Sequence, residues 1–197
     1  MIIAVTGGFG TGKTAVAGIF GRLGCFVLNV DKLYGKLIAK NSPLYFKIIN
    51  KFGTSILDKN KNIDRDKLKQ IVFNNSKKLR QLNKITHPLI LKEIKKEINS
   101  FKKLMAKKIL IIDIPLLFES KSESLVDKIV VVKTDSKTQM KRLIKKGKYT
   151  KAEIRQIIKS QLPLSFKIKK ADFVVDNSKE IEYTKKQIEV IYTKLIR

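Results

Sequence analysis

At 197 residues and 43% hydrophobic composition, the chain is long and apolar enough for one compact domain with a real core, which excludes global disorder. No apolar run approaches ~20 residues and no basic, signal-type stretch opens the chain, so a cytoplasmic protein with no membrane partner is expected. The net charge of +26 points toward polyanions, but only six of the 43 basic residues are arginine and the lysines are spread along nearly the whole chain. Dedicated phosphate and base readers favour the bidentate guanidinium fork, so no specific nucleic-acid partner is expected, and the charge serves to attract polyanionic small substrates.

"IIAVT" (residues 2–6) is short, apolar and β-branched, and reads as a fully buried strand. After a glycine-rich turn, "KTAVAGIFGRL" (residues 13–23) places Val16, Ile19, Phe20 and Leu23 on one helical face, and Gly24 ends that helix. "CFVLN" follows as a second strand reaching Asp31. Cys25 is the one cysteine, so an intrachain disulfide is impossible, and its apolar neighbours make it a core thiol. Residues 32–100 read as mostly helical, broken at Pro43 and again by the polar turn "LDKNKNID" (residues 57–64). "KKILIIDIP" (residues 107–115) and "DKIVVVKT" (residues 127–134) are further buried strands. Asp135 or Ser136 caps the helix "DSKTQMKRLIKK", and Thr150 caps another basic helix. "ADFVVDN" (residues 171–177) is the last strand, before an amphipathic helix over 179–195.

Apolar strands alternating with helices indicate an α/β fold with a mostly parallel sheet covered on both faces. The stretch between the second and third strands is too long for a simple crossover, so it is read as an inserted substrate-binding region.

"GGFGTGKT" (residues 7–14) fits G-x-x-x-x-G-K-[ST], with a strand before it and a helix after it. Glycines at Gly8, Gly10 and Gly12 let the backbone wrap a phosphate, and their N–H groups, with those of Thr11, Lys13, Thr14 and Ala15, can point inward. Lys13 can reach the β- and γ-phosphates and the Thr14 hydroxyl can ligate Mg²⁺, so ATP is the expected ligand. Asp113 closes its strand as the acid that supports such a metal through water; alternatively it caps a helix beginning near Pro115. The chain has no guanine-reading "NKxD" run and little room for motor machinery, which leaves an enzyme that phosphorylates an acceptor. Such an enzyme needs a carboxylate to deprotonate the acceptor hydroxyl, and Asp31, just past the second strand, is the candidate; N-capping the next helix is its bland alternative.

"TGGFGTGKTAVAGIFGRLG" with "VLNVD" resembles the start of dephospho-coenzyme A kinases. "HPLI" (residues 87–90), "IDIPLLFES" (residues 112–120), "QMKRL" (residues 139–143), Gln161 and "ADFVVDN" continue that resemblance, in order, over essentially the whole chain. It implies a P-loop kinase core with a helical coenzyme-binding insertion over about 32–100 and a lid over about 138–161. It implies Asp31 as base toward the ribose 3′-hydroxyl of dephospho-coenzyme A, and Lys13 as neutraliser of the transferring phosphoryl group. Arg142 would reach ATP phosphates from the lid, joined four residues on by Lys146, where the family commonly carries a second arginine. His87, Pro88, Pro115, Leu116, Leu117 and Glu119 would line the acceptor pocket; on residue physics alone, His87-Pro88 ends a helix and the leucines are core. Asn29 stands where the family often has a first acid before Asp31. A monomer is expected, and the alternatives are another small-molecule kinase of nucleotide or shikimate type, or an ATP-regulated nucleic-acid-binding protein.

Overall fold

Ile2, Ile3, Ala4 and Val5 are all completely inaccessible to solvent, so β1 (Ile2–Gly7) is covered on both faces, as its unbroken apolar run requires. The structure, a computed structural model, describes residues 1–73 and 75–196. After β1 the chain runs through α1 (Lys13–Arg22), β2 (Phe26–Asn29), α2 (Val30–Leu37), α3 (Pro43–Phe52), α4 (Arg65–Phe73) and α5 (Ser76–Leu104). It continues through β3 (Leu110–Asp113), β4 (Lys128–Lys133), α6 (Ser136–Lys145), α7 (Lys151–Lys159), α8 (Leu164–Lys169), β5 (Phe173–Asp176) and α9 (Ile181–Ile196). The chain divides into two compact units: residues 1–29 with the chain from Ile98 onward, and residues 30–97.

In the first unit the five strands form one sheet in the order β2-β3-β1-β4-β5, and every pairing is parallel. Ile3, Val5, Val130 and Val132 of the strands pack with Val16 and Phe20 of α1 and with Ile188 and Ile191 of α9. Each such side chain, fully buried, contributes roughly 1.5–3 kcal/mol of transfer free energy. Cys25 lies in the same core, and burial pushes its thiol up to about 11, so it stays protonated and inert at neutral pH. Successive strands leave β1 toward β3 on one side and β4 on the other. That reversal opens a crevice at the carboxyl end of β1, where ligands of parallel sheets bind.

Local chemistry sets the helix starts. Asp135 caps α6 by accepting from the Thr138 N–H at 2.8 Å, and Thr150 with Glu153 forms a reciprocal capping box on α7. Three expectations are corrected. The second strand stops at Asn29 instead of reaching Asp31, because α2 already begins at Val30. No α-helix starts at Pro115; the chain makes a series of turns there, with the Ser122 N–H donating to the Leu117 carbonyl at 3.0 Å. His87-Pro88 does not end a helix either, since Pro88 lies inside α5. Pro88 is exposed, so water can take the Lys84 carbonyl that the ring leaves without a donor.

The second unit has its own core of Ile38, Leu44, Tyr45, Ile48, Ile56 and Leu68. Pro43 opens α3 rather than merely interrupting helix, with the Ser42 hydroxyl accepting from the Tyr45 N–H. Among the described residues, no helix is long and apolar enough to cross a membrane.

Candidate active site

The turn from β1 into α1 is shaped by its glycines. A Cβ on Gly7 would fall 2.3 Å from the Val132 carbonyl oxygen, so β1 approaches β4 too closely for any side chain. Gly12 has φ +94° and ends the turn; its carbonyl then accepts from the Ala15 and Val16 N–H groups at 3.0 and 3.1 Å, starting α1. Between them Thr11 is buried and donates through its hydroxyl to the Gly8 carbonyl at 3.0 Å. Lys13 Nζ donates to the same carbonyl at 2.8 Å, folding its ammonium back over the loop. The result is a glycine turn and one ammonium at a helix N-terminus, a setting suited to a polyphosphate.

Beside it, Thr14 Oγ1 donates to Asp113 Oδ2 at 2.7 Å, so the two residues that the sequence marks as metal-supporting do meet. Parallel pairing of β2 with β3 puts Asn29 opposite Asp113, and Asn29 Nδ2 donates to the same oxygen at 2.9 Å. A neutral amide here donates to the carboxylate; an acid in its place would repel it.

A cleft of about 530 Å³ opens on this loop, lined by Gly10, Gly12, Ala15, Arg142, Lys146 and Asn177 among others. Its size suits a nucleotide-scale ligand. Five of those six are residues that the sequence marks as ATP-binding; the sixth, Asn177, stands out there only as the end of its strand motif. The stretch 138–161 also grips the loop's tip. Gln139 Nε2 donates to the Phe9 carbonyl at 2.5 Å, the Phe9 N–H donates to Gln161 Oε1 at 2.8 Å, and the Phe9 and Tyr149 rings meet edge-on at 5.5 Å.

The 115–119 turn behaves differently. Leu117 is fully buried, while Pro115 and Leu116 are half-buried. Glu119 Oε1 accepts from Lys167 Nζ at 2.7 Å and from the Leu162 N–H at 3.0 Å. Lys167 is completely buried, and its Nζ also lies 3.5 Å from the Gly7 carbonyl. Nothing in the sequence distinguishes Lys167 from its neighbours Lys169 and Lys170. Among the described residues, Glu119 Oε2 is buried with no partner. Lys167→Ala therefore strands a carboxylate out of water and should cost about 3–5 kcal/mol, read as a lowered urea midpoint. Combining Lys167→Met with Glu119→Leu should recover most of that loss; a single variant as stable as the parent would contradict the pairing.

The second unit carries the remaining candidates. Asp31 occupies the first turn of α2 with an exposed side chain, where a carboxylate favours the helix N-terminus but is not its N-cap. His87 is half-buried in α5, and burial pushes its imidazole below the ordinary value of 6.5. A depressed histidine contributes stability above its unfolded pKa and loses it as pH falls through the folded one. Stability to urea should thus decline from about pH 6.5 downward, above the carboxylate range, and His87→Asn should flatten that decline. An unchanged profile in the variant would contradict this.

A family model described as dephospho-CoA kinase matches residues 1–183. The chain belongs to the dephospho-CoA kinase family. It is 44% identical over 195 residues to a dephospho-CoA kinase of Carboxydothermus hydrogenoformans, covering 98% of this chain and 93% of that one. A solved dephospho-CoA kinase from Campylobacter jejuni shares the fold with a TM-score of 0.72 at 28% identity, over 98% of this chain and 96% of its own. A crystal structure from Thermus thermophilus gives a TM-score of 0.79 at 23% identity, over 99% and 97% of the two chains, and is a likeness of fold. Against the dephospho-CoA kinase pattern, the two departures now have places. Asn29 is tied to Asp113, and Lys146 lines the cleft with Arg142.

Proposed function

We propose that the chain transfers the γ-phosphoryl group of ATP to the ribose 3′-hydroxyl of dephospho-coenzyme A, releasing coenzyme A and ADP. Membership of the dephospho-CoA kinase family supports the reaction, and the observation that carries the site is the Thr14–Asp113 pair beside the glycine loop at the sheet's crevice. The loop N–H groups bind the β- and γ-phosphates, and Lys13 turns from the Gly8 carbonyl to the transferring phosphoryl oxygens. Asp31 accepts the proton of the 3′-hydroxyl as its oxygen bonds to the γ-phosphorus and the bond to the ADP oxygen breaks. Arg142 and Lys146 neutralise charge from the cleft wall, Arg142 by its fork and Lys146 as a point charge.

Thr14 and Asp113 offer the hard oxygens that Mg²⁺ takes, few enough to leave its other positions to phosphates and water, so these two residues would hold it. When bound, the ion neutralises charge on the β- and γ-oxygens. In this reading residues 32–100, with His87 and Pro88, receive the coenzyme, and 138–161 form a lid that excludes water. Pro115 and Leu116 border the acceptor with the buried Leu117 packed behind them, and Glu119 fixes their turn through Lys167.

The test is an acceptor panel. ADP release with Mg²⁺-ATP is followed for dephospho-coenzyme A, shikimate and nucleoside monophosphates. Release stimulated by dephospho-coenzyme A alone is expected; stimulation by another acceptor instead would overturn the assignment.

A further inference from the structure

The motif "ADFVVDN" ends on a residue that the proposed reaction does not use. Asn177 follows β5, is buried, and engages every polar group it has. Its Nδ2 donates to the Thr11 carbonyl at 2.8 Å, and its Oδ1 accepts from the Thr184 hydroxyl of α9 at 3.0 Å. On the main chain, its N–H donates to the Lys133 carbonyl at 2.9 Å. Its carbonyl accepts from Arg142 Nη1 at 2.7 Å and from the Thr134 hydroxyl at 3.4 Å. One residue thus joins the glycine loop, the ends of β4 and β5, α9 and the lid arginine.

We infer that Asn177 is a positioning residue of the nucleotide site: its side-chain amide aims the Thr11–Gly12 peptide of the loop, and its main chain parks Arg142 beside it. A peptide is planar and trans, so holding the Thr11 carbonyl toward Asn177 turns the Gly12 N–H to the opposite side. That N–H belongs to the phosphate-binding set, and the inference therefore rests on reading the loop as an ATP cradle. The Thr11 carbonyl sets the direction of the amide. It can only accept, so Nδ2 must face it, and the Thr184 hydroxyl then donates to Oδ1 and pins the other end. Contact is close, since a Cβ on Gly12 would lie 2.1 Å from Nδ2. Loop and arginine are thus held in register before any ligand arrives, and preorganised donors need no rearrangement when charge develops.

Asn177→Asp tests this without changing shape, because it replaces the donor facing Thr11 with an acceptor. ATP binding is measured directly by titration calorimetry, which needs no acceptor and so reads this inference separately from the reaction assigned above. The expected result is an ATP Kd weakened by about tenfold, with KM for ATP raised and KM for dephospho-coenzyme A unchanged. Thr184→Val leaves the amide in place but removes the hydroxyl that pins its oxygen, and a smaller loss of ATP affinity, about two- to threefold, is expected. Thermal melting of both variants sets a measuring temperature at which each is folded. Folded Asn177→Asp protein with the parent's ATP affinity would overturn the inference, as would equal rises in both KM values. Should Asn177→Asp fail to fold, Thr184→Val decides: weakened ATP binding supports the positioning role, and unchanged binding refutes it.

Discussion

Asp31→Asn is expected to lower turnover by about a hundred- to ten-thousandfold while leaving ATP affinity within about twofold of the parent. The substitution keeps the size and the hydrogen-bonding reach of the side chain but removes its ability to accept a proton. Asp31 is exposed in the first turn of α2, so no buried network depends on its charge and the variant should fold normally. Lys13, Thr14 and Asp113, the groups proposed to face the nucleotide, belong to the other unit. Single-turnover rates with ATP binding measured alongside check both halves. Near-parental turnover would remove Asp31 from the mechanism, and a matching loss of ATP affinity would make its role one of binding.

Gly12→Ala should damage both stability and ATP binding. At φ +94° an alanine carries about 1–2 kcal/mol of backbone strain. Its methyl would also displace the Asn177 amide, leaving the Thr11 carbonyl buried without its donor at a further cost of about 1–3 kcal/mol. Gly24 supplies the control. It has φ +93° but nothing within 4 Å of a Cβ, so Gly24→Ala bears the strain alone. The urea midpoint should fall in both variants and clearly further in Gly12→Ala, and only Gly12→Ala should weaken ATP binding by tenfold or more. Equal midpoints in the two variants would contradict the packing argument.

The strands and the loop are readable in the sequence because their physics is local. A strand buried on both faces is a continuous apolar run, as in "IIAVT" and "KIVVVK", and a phosphate loop must write its glycines out in order. Capping is equally local, which is why Asp135 and Thr150 sit where their side chains alone would put them. What escapes such reading depends on partners distant in sequence. Lys167 looks like any surface lysine until Glu119, from another segment, pairs with it in the interior. Pro88 signals a helix end, yet α5 runs through it, because a tertiary frame tolerates one lost hydrogen bond that an isolated helix would not. Asn177 is visible as part of a motif, but its role lies in contacts to Thr11 and Thr184 that no spacing encodes.

Most directly, the central claim is tested by the fate of the phosphate. The protein is incubated with Mg²⁺-ATP and dephospho-coenzyme A, ADP release is followed by a coupled assay, and the acceptor is isolated for mass spectrometry and ³¹P NMR. The account requires ADP release that depends on the acceptor, with one phosphate gained by it as a monoester on the ribose 3′-oxygen. Slow ADP release indifferent to dephospho-coenzyme A, or a phosphate carried at another position, would contradict it.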